Sequence, residues 1–199
     1  VSWTPPPKIL GRLTNGELCV VDVLTGTAHT PWSYSPAADL VYLQLGSDGA
    51  SLFMTDNGAL KVIRPTTAPN HAETIGAYSD YENLCVADGF VYVARPDGYI
   101  YRMAEDGSGE VLLGRVFSAD HKSQMCNGIQ VRGDVLYATW GNTDKGYRVA
   151  ISSWTVSATP NSTSNWLCAS AADFDMGVLW MSSLFFAPQL VAGFSPDSF

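Results

Sequence analysis

The stretch "VADGFVYVARPDGYIYRMAEDGSGEVLLG" (residues 86–114) contains short apolar runs that are separated by turn-forming clusters. These clusters are Asp88-Gly89, Pro96-Asp97-Gly98 and the segment EDGSG at 105–109. The runs FVYV and YIYRM have the two-residue period of β-strands, and Asp-Gly supplies the positive φ that tight hairpins require. The pattern predicts four strands joined by hairpins, at 82–87, 90–95, 99–104 and 110–116.

The same plan recurs along the chain. Residues 39–77 repeat it with turns at Asp48-Gly49 and Asn57-Gly58, and residues 127–152 repeat its first three strands. The equivalent turn glycines are Gly16, Gly58, Gly98 and Gly141. A period of about 40–45 residues with four short strands is typical of the blades of a β-propeller.

We therefore predict one all-β domain over residues 1–199, a small β-propeller of about five four-stranded blades, with a proline-rich lead-in at 1–7. A propeller closes by pairing strands from its two ends. We expect Lys8–Leu13 to share a blade with the C-terminal apolar run. A two-sheet sandwich and a fragment of a larger propeller are the alternatives.

Composition excludes several classes of function. The formal net charge is −8 and no Lys/Arg cluster is present, so nucleic-acid binding is not expected. No apolar run approaches the ~20 residues that cross a bilayer, so membrane insertion is not expected either. An acidic chain is compatible with cationic or neutral partners.

No metal or other cofactor is expected. Cys19, Cys85, Cys126 and Cys168 are widely spaced and lack the Cys-x-x-Cys pairs of zinc sites. Each lies in or beside an apolar run, which favours buried free thiols over disulfides. The three histidines fall in different repeats, and the segment 173–177 lacks the full ligand set of a calcium loop.

Two segments resemble known propellers. The sequences DGYIYRMAEDGSGEVLL (97–113) and VLYATWGNTDKGYRV (135–149) resemble blades of the low-density-lipoprotein-receptor (YWTD) type and their bacterial relatives, with Tyr137 and Thr139 at matching positions. The Trp and Asp of the full motif are absent. The resemblance implies a propeller that serves as a protein-binding platform. The segment DFDMGVLW (173–180) is similar to the Asp-box hairpin, which is structural where it occurs.

Motifs for catalysis are scarce. The chain has no nucleophile elbow, no His-Glu-x-x-His and no phosphate-binding loop. A glycosidase needs two carboxylates that face each other across a pocket, and the predicted inner strands carry Asp39 and Glu82. A glycosidase-type propeller is therefore the least improbable enzyme class, and we do not expect an enzyme.

Aromatic residues beside polar ones recur in the loops between blades. Aromatic side chains of this kind bind sugars or partner proteins with large contact area, although they also fill the corners of blades. The candidate ligand-binding residues are Trp32, Tyr34, Tyr78, Tyr81, His121, Trp140, Asn142 and Trp166.

The sequence thus predicts a non-catalytic binding module that docks a protein in a secreted, cell-surface or viral particle assembly. A lectin-like propeller that binds a neutral glycan is the alternative. The loops vary in length from repeat to repeat, and this favours protein docking over repeated sugar pockets. The sequence does not fix the location of the protein, and an extracellular location or the surface of a particle is favoured.

Overall fold

The computed structural model of the chain describes residues 8–13, 15–22, 24–32, 34–37, 42–64, 71–117, 126–140, 146–158, 167–173, 178–183 and 191–194. These residues form eighteen strands and no helix. Within them, no helix is long and apolar enough to span a membrane. The chain divides into two compact units, Val1–Ser79 (unit 1) and Asp80–Phe199 (unit 2). The prediction of a single domain stays a prediction.

Unit 1 contains two antiparallel sheets, in which each strand pairs with the next along the chain. The first sheet consists of β1 Lys8–Arg12, β2 Leu18–Asp22 and β3 Ala28–His29. The second consists of β4 Tyr42–Leu45, β5 Leu52–Asp56, β6 Ala59–Ile63 and β7 Ala72–Thr74.

Unit 2 contains three sheets of the same kind. The third sheet consists of β8 Asn83–Ala87, β9 Phe90–Ala94, β10 Tyr99–Ala104 and β11 Val111–Arg115. The fourth consists of β12 Cys126–Arg132, β13 Val135–Trp140, β14 Gly146–Ala150 and β15 Thr155–Ala158. The fifth consists of β16 Leu167–Asp173, β17 Val178–Ser183 and β18 Val191–Phe194.

The four strands predicted from the segment 86–114 are confirmed as β8 to β11, with bounds that agree to within one residue. Asp88 and Gly89, between β8 and β9, have φ values of 52° and 79°. Both central residues of this two-residue turn are left-handed, which is the geometry of the type I′ hairpins that Asp-Gly favours. The backbone of Gly98 is also in the left-handed region, with φ 82°.

The two ends of the chain lie in the first and fifth sheets. The first and fifth sheets contain three described strands each, whereas the other three sheets contain four. Within the described pairings, β1 bonds to β2 and β18 bonds to β17. The expected pairing of Lys8–Leu13 with the C-terminal run stays a prediction. The turn at Asn15-Gly16, where Gly16 N donates to Leu13 O at 2.9 Å, closes the hairpin between β1 and β2.

Each unit has its own buried apolar cluster. In unit 1, Leu18 and Trp32 pack with Leu52, Met54 and Ile63. In unit 2, the cluster joins the third and fourth sheets, because Cys85 and Ile100 of one pack with residues of the other. Those residues include Ile129, Leu136 and Val149.

The cysteine prediction is confirmed where the side chains are described. Cys19, Cys85 and Cys126 are buried free thiols. Burial among apolar neighbours explains why these residues occur in strand patterns and not in paired motifs.

Gly98 provides a test of how the turns constrain the fold. A Cβ at Gly98 would lie 2.7 Å from ring atoms of Phe117, which is itself buried against Tyr147. We expect Gly98→Ala to lower the free energy of unfolding by about 3 kcal/mol, through backbone strain and overpacking together. Chemical denaturation measures this.

Gly109→Ala is the matched control, because Gly109 also has a positive φ (65°) but a Cβ there meets no atom within 4 Å. It should cost only the backbone strain, about 1 kcal/mol. Equal losses at the two positions would contradict the close packing of Gly98 on Phe117.

Candidate functional site

A cavity of about 480 Å³ lies beside Trp32 in unit 1. We call it the Trp32 cavity. It is lined by Val20, Asp22, His29, Pro31, Trp32, Leu45, Gly49 and Ala50. These residues come from β2, from β3 and the segment after it, and from β4 and its turn to β5. The cavity therefore combines parts of the first and second sheets.

Two capped turns shape this cavity. In the turn after β2, Asp22 Oδ1 accepts hydrogen bonds from the backbone N–H of Leu24 at 2.9 Å and of Thr25 at 3.1 Å. In the turn after β4, Asp48 Oδ1 accepts from the backbone N–H of Ala50 and Ser51, and Oδ2 accepts from the Ser51 hydroxyl at 2.6 Å. The bond from the Ser51 hydroxyl lowers the pKa of Asp48 below its usual value. Short Asp side chains thus fix the backbone of both walls.

Trp32 is 2% exposed, and its Nε1 has no hydrogen-bond partner among the described residues. A buried N–H without a partner costs about 1–3 kcal/mol of stability. Trp154 of unit 2 differs in this respect, because its Nε1 donates to Arg115 O at 3.0 Å. The N–H of Trp32 is therefore an unusual feature of the cavity wall.

Tyr34 is near Trp32 in the chain, but its hydroxyl group makes hydrogen bonds within unit 1 that stabilise the fold. Its hydroxyl donates to Asp56 Oδ2 at 2.8 Å and accepts from Lys61 Nζ at 3.0 Å. Lys61 Nζ also lies 2.7 Å from Asp56 Oδ2, and the Asp56 side chain is fully buried. Burial raises the pKa of Tyr34 above its usual value. These groups satisfy each other within unit 1.

The other predicted aromatic residues lie in different environments. Tyr78, in unit 1, is 39% exposed. Tyr81, in unit 2, is buried, donates its hydroxyl to the Glu110 carboxylate and meets Tyr101 edge to face at 6.5 Å. The structure therefore places Tyr81 in the core of its unit.

Four of the eight predicted site residues are not described at the level of their side chains. His121, Asn142 and Trp166 lie outside the described residues, and Trp140 is described only as the last residue of β13. Trp32 and Tyr34 are the predicted residues that the structure brings together, since Tyr34 packs against the cluster that contains Trp32.

Glu82 joins two strands of unit 2. Its Oε2 accepts the backbone N–H of Cys126 at 2.5 Å, and the neighbouring Asn83 Nδ2 donates to Cys126 O at 3.2 Å. Burial, together with the negative charges of Asp80 and Asp97, raises the pKa of Glu82 from 4.5 to about 7. The other carboxylate considered for glycoside hydrolysis, Asp39, lies outside the described residues.

No group of three or more His, Cys, Asp or Glu side chains that could hold a metal occurs among the described residues. The bidentate pair of Arg95 with Asp80, at 2.9 and 2.6 Å, is a further polar contact within unit 2. The guanidinium carbon of Arg95 lies over the Tyr101 ring, 5.9 Å from its centre.

Sequence reasoning selected Trp32 but missed most of the cavity around it. Val20 and Leu45 are ordinary strand residues, and Ala50 is an ordinary turn residue. Asp22 was not singled out in the sequence. No local pattern indicates that these positions meet, because they belong to different sheets.

Comparison with solved structures establishes the fold. The chain is similar to the β-propeller domain of Cps50 (Swd1) from Myceliophteria thermophila, with a TM-score of 0.62 and 12% sequence identity. The match covers 94% of this chain and 66% of that domain. No protein-family model matches the chain. No curated protein matches it.

The chain therefore has an all-β, β-propeller fold, as the sequence predicts. The likeness extends to the architecture alone, because a shared fold at this identity does not carry an activity. The finer resemblance to low-density-lipoprotein-receptor type blades stays a prediction.

The raised pKa of Glu82 predicts a pH-dependent stability. Between pH 4.5 and about 7, the folded protein retains a proton that the unfolded chain has lost, so the free energy of unfolding falls as pH rises through this window. Glu82→Gln keeps an acceptor for the Cys126 N–H but does not titrate. We expect it to flatten this part of the pH profile, as measured by urea denaturation.

Glu105→Gln, in the turn after β10, removes the same charge and serves as the control. It should leave the slope of the profile as in the original chain. An unchanged slope in Glu82→Gln would contradict the assignment of this dependence to Glu82.

The indole N–H groups give a second prediction. Trp154→Phe leaves Arg115 O without its donor, so we expect a loss of about 1–2 kcal/mol in the free energy of unfolding. Trp32→Phe removes an N–H without a described partner, which stabilises the folded protein, but it also removes ring contacts, which destabilises it. Because these effects offset each other, the free energy of unfolding should fall by less than about 1 kcal/mol. Thermal and urea unfolding of both variants test the order. A larger loss for Trp32→Phe would contradict it.

Proposed function

We propose that the chain is a non-catalytic binding module that docks another protein, and that the Trp32 cavity is a place where the partner binds. The single observation that carries this proposal is the cavity itself. Its volume of about 480 Å³ falls within the range of about 300–1,000 Å³ that is typical of ligand sites. Its wall is mainly apolar, with a few polar groups, as in most such sites.

The surroundings of the cavity also favour a protein partner. Leu24, in the same turn as Asp22, is 76% exposed, and His29 and Pro31 are exposed as well. Exposed apolar side chains beside a pocket with a Trp wall are the kind of surface on which partner side chains anchor.

The proposal of a module without catalytic activity rests on how the buried polar groups are used. The Asp56 carboxylate is bonded to Lys61 and Tyr34, and the Glu82 carboxylate is bonded to a backbone N–H. These contacts stabilise the fold, and this supports a binding role for the chain over hydrolysis.

A lectin-like module is the second candidate. Trp32, His29 and Asp22 line one cavity, and an aromatic ring beside groups that hydrogen-bond is a set of residues that binds sugars. The neutral glycan is therefore the alternative ligand for the same cavity. The secreted, cell-surface or viral setting belongs to the proposal as well, and the test below does not depend on it.

Ala50→Trp tests the proposed site. Ala50 lines the cavity from the turn after β4, so a large side chain there should fill the cavity without entering the buried core. We expect a random peptide library displayed on phage to yield a consensus peptide on the purified chain. Binding of that peptide should fall at least about tenfold in Ala50→Trp.

Ser108→Trp, in the turn between β10 and β11 of unit 2, adds the same side chain elsewhere and should bind the peptide as the original chain does. A glycan array is screened in parallel with all three proteins. Glycan binding that Ala50→Trp abolishes, with no peptide consensus, would replace the docking proposal by the lectin one. Peptides that bind Ala50→Trp unchanged would overturn the proposed site.

A further inference from the structure

We propose that the Trp32 cavity accepts the side chain of an arginine or lysine of the partner protein. Its aliphatic stem would lie on the apolar wall and its cationic head would lie on Asp22. This inference deepens the proposed function and rests on it. The observations that carry it are the hydrogen bonding of Asp22, the composition of the wall and the charge of the chain.

Asp22 contributes a carboxylate oxygen that its own turn does not use. Oδ1 accepts the two backbone N–H groups of Leu24 and Thr25, whereas Oδ2 accepts no hydrogen bond from any described residue. Asp48, in the turn that carries the lining residues Gly49 and Ala50, differs, because both of its oxygens are bonded within the turn. Among the described lining residues, Asp22 is therefore the carboxylate that can still bind a cation.

The wall suits the stem of a long basic side chain. Val20, Pro31 and Leu45 are apolar, and Trp32 adds an aromatic ring. Arginine and lysine cover such surfaces with their methylene groups while the charged head contacts a polar group. A guanidinium group also stacks on aromatic rings, as Arg115 does on Tyr99 at 5.0 Å in unit 2.

Charge favours a cation over a purely apolar group. The chain has a formal net charge of −8, and neither Lys nor Arg is among the lining residues whose side chains the structure describes. An apolar side chain seated there would remove water from the Asp22 carboxylate without replacing its hydrogen bonds, which is unfavourable. A basic side chain replaces them with a charge-assisted bond.

The test uses two peptides that differ in charge but hardly in shape. Acetyl-Ala-Arg-Ala-amide carries a guanidinium group, and acetyl-Ala-citrulline-Ala-amide carries the neutral urea in its place. Each is titrated into the ¹⁵N-labelled chain, and the NMR signals of the Trp32 indole and of Asp22, His29 and Ala50 are followed. We expect the Arg peptide to shift these signals with an affinity at least about fivefold above that of the citrulline peptide.

Asp22→Asn keeps the oxygen that caps the turn and removes the charge. We expect it to weaken the Arg peptide about tenfold, the size of effect expected of a charge-assisted hydrogen bond. Asp106→Asn is the matched control. It makes the same change of charge in the turn after β10, where Asp106 Oδ1 accepts the backbone N–H of Ser108, and should leave the affinity unchanged. The NMR spectrum of each variant reports whether it is folded.

Equal affinities for the Arg and citrulline peptides, or an unchanged affinity in Asp22→Asn, would overturn the inference. A loss of Arg binding at high salt supports it and requires no variant. If the displayed peptides bind at the cavity but contain no basic residue, the docking function stands and this inference is wrong. If no peptide binds at the cavity at all, both are wrong.

Discussion

The tight hairpin turn is the constraint on which the rest of this structure depends. At Asn57-Gly58 and at Asp88-Gly89, both central residues have positive φ. This geometry matches the twist of the flanking strands and sets their register. Asp56 is paired with Ala59 across the first turn, and Ala87 with Phe90 across the second. Because each strand pairs with its sequence neighbour, every sheet is a local meander.

Local meanders do not by themselves hold one sheet to the next. In unit 2, that connection comes from side chains that bond to the backbone of another sheet. Glu82 and Asn83 hold the N–H and C=O of Cys126, and Asp88 Oδ2 accepts the N–H of Gly133 at 3.2 Å. Together with the apolar cluster, these bonds fix the third sheet against the fourth. The carboxylate of Glu82, directly before β8, is therefore used here to satisfy a buried backbone group.

This division between local and distant contacts explains what the sequence could predict. The strands β8 to β11 follow from alternation and from Asp-Gly turns, and both signals are contained in a few consecutive residues. The pairing of the chain ends, in contrast, depends on residues almost two hundred positions apart, and it stays a prediction. The period of the repeat gave the class of fold without fixing how the first and fifth sheets are completed.

The same limit applies to the candidate site. An aromatic residue in a polar loop is visible in the sequence, but its environment is not, so Trp32, Tyr34 and Tyr81 looked alike. The structure separates them: Tyr34 is bonded to Asp56, Tyr81 lies in a core, and Trp32 forms the wall of a cavity. Which of the three can face a ligand depends on the packing of two sheets, and no short pattern encodes that.

Equivalent groups elsewhere in the fold have hydrogen-bond partners, and this comparison supports a binding role for the Trp32 cavity. Asp48 has partners for both oxygens and Trp154 has an acceptor for its N–H, so this architecture can satisfy such groups. At the cavity, Trp32 Nε1 and Asp22 Oδ2 have no such partners among the described residues. A buried donor without a partner lowers stability, and proteins tolerate that cost chiefly where a site serves a function other than stability. A buried N–H without a partner, in a residue that lines the cavity, is a stronger indication of binding than the volume of the cavity alone.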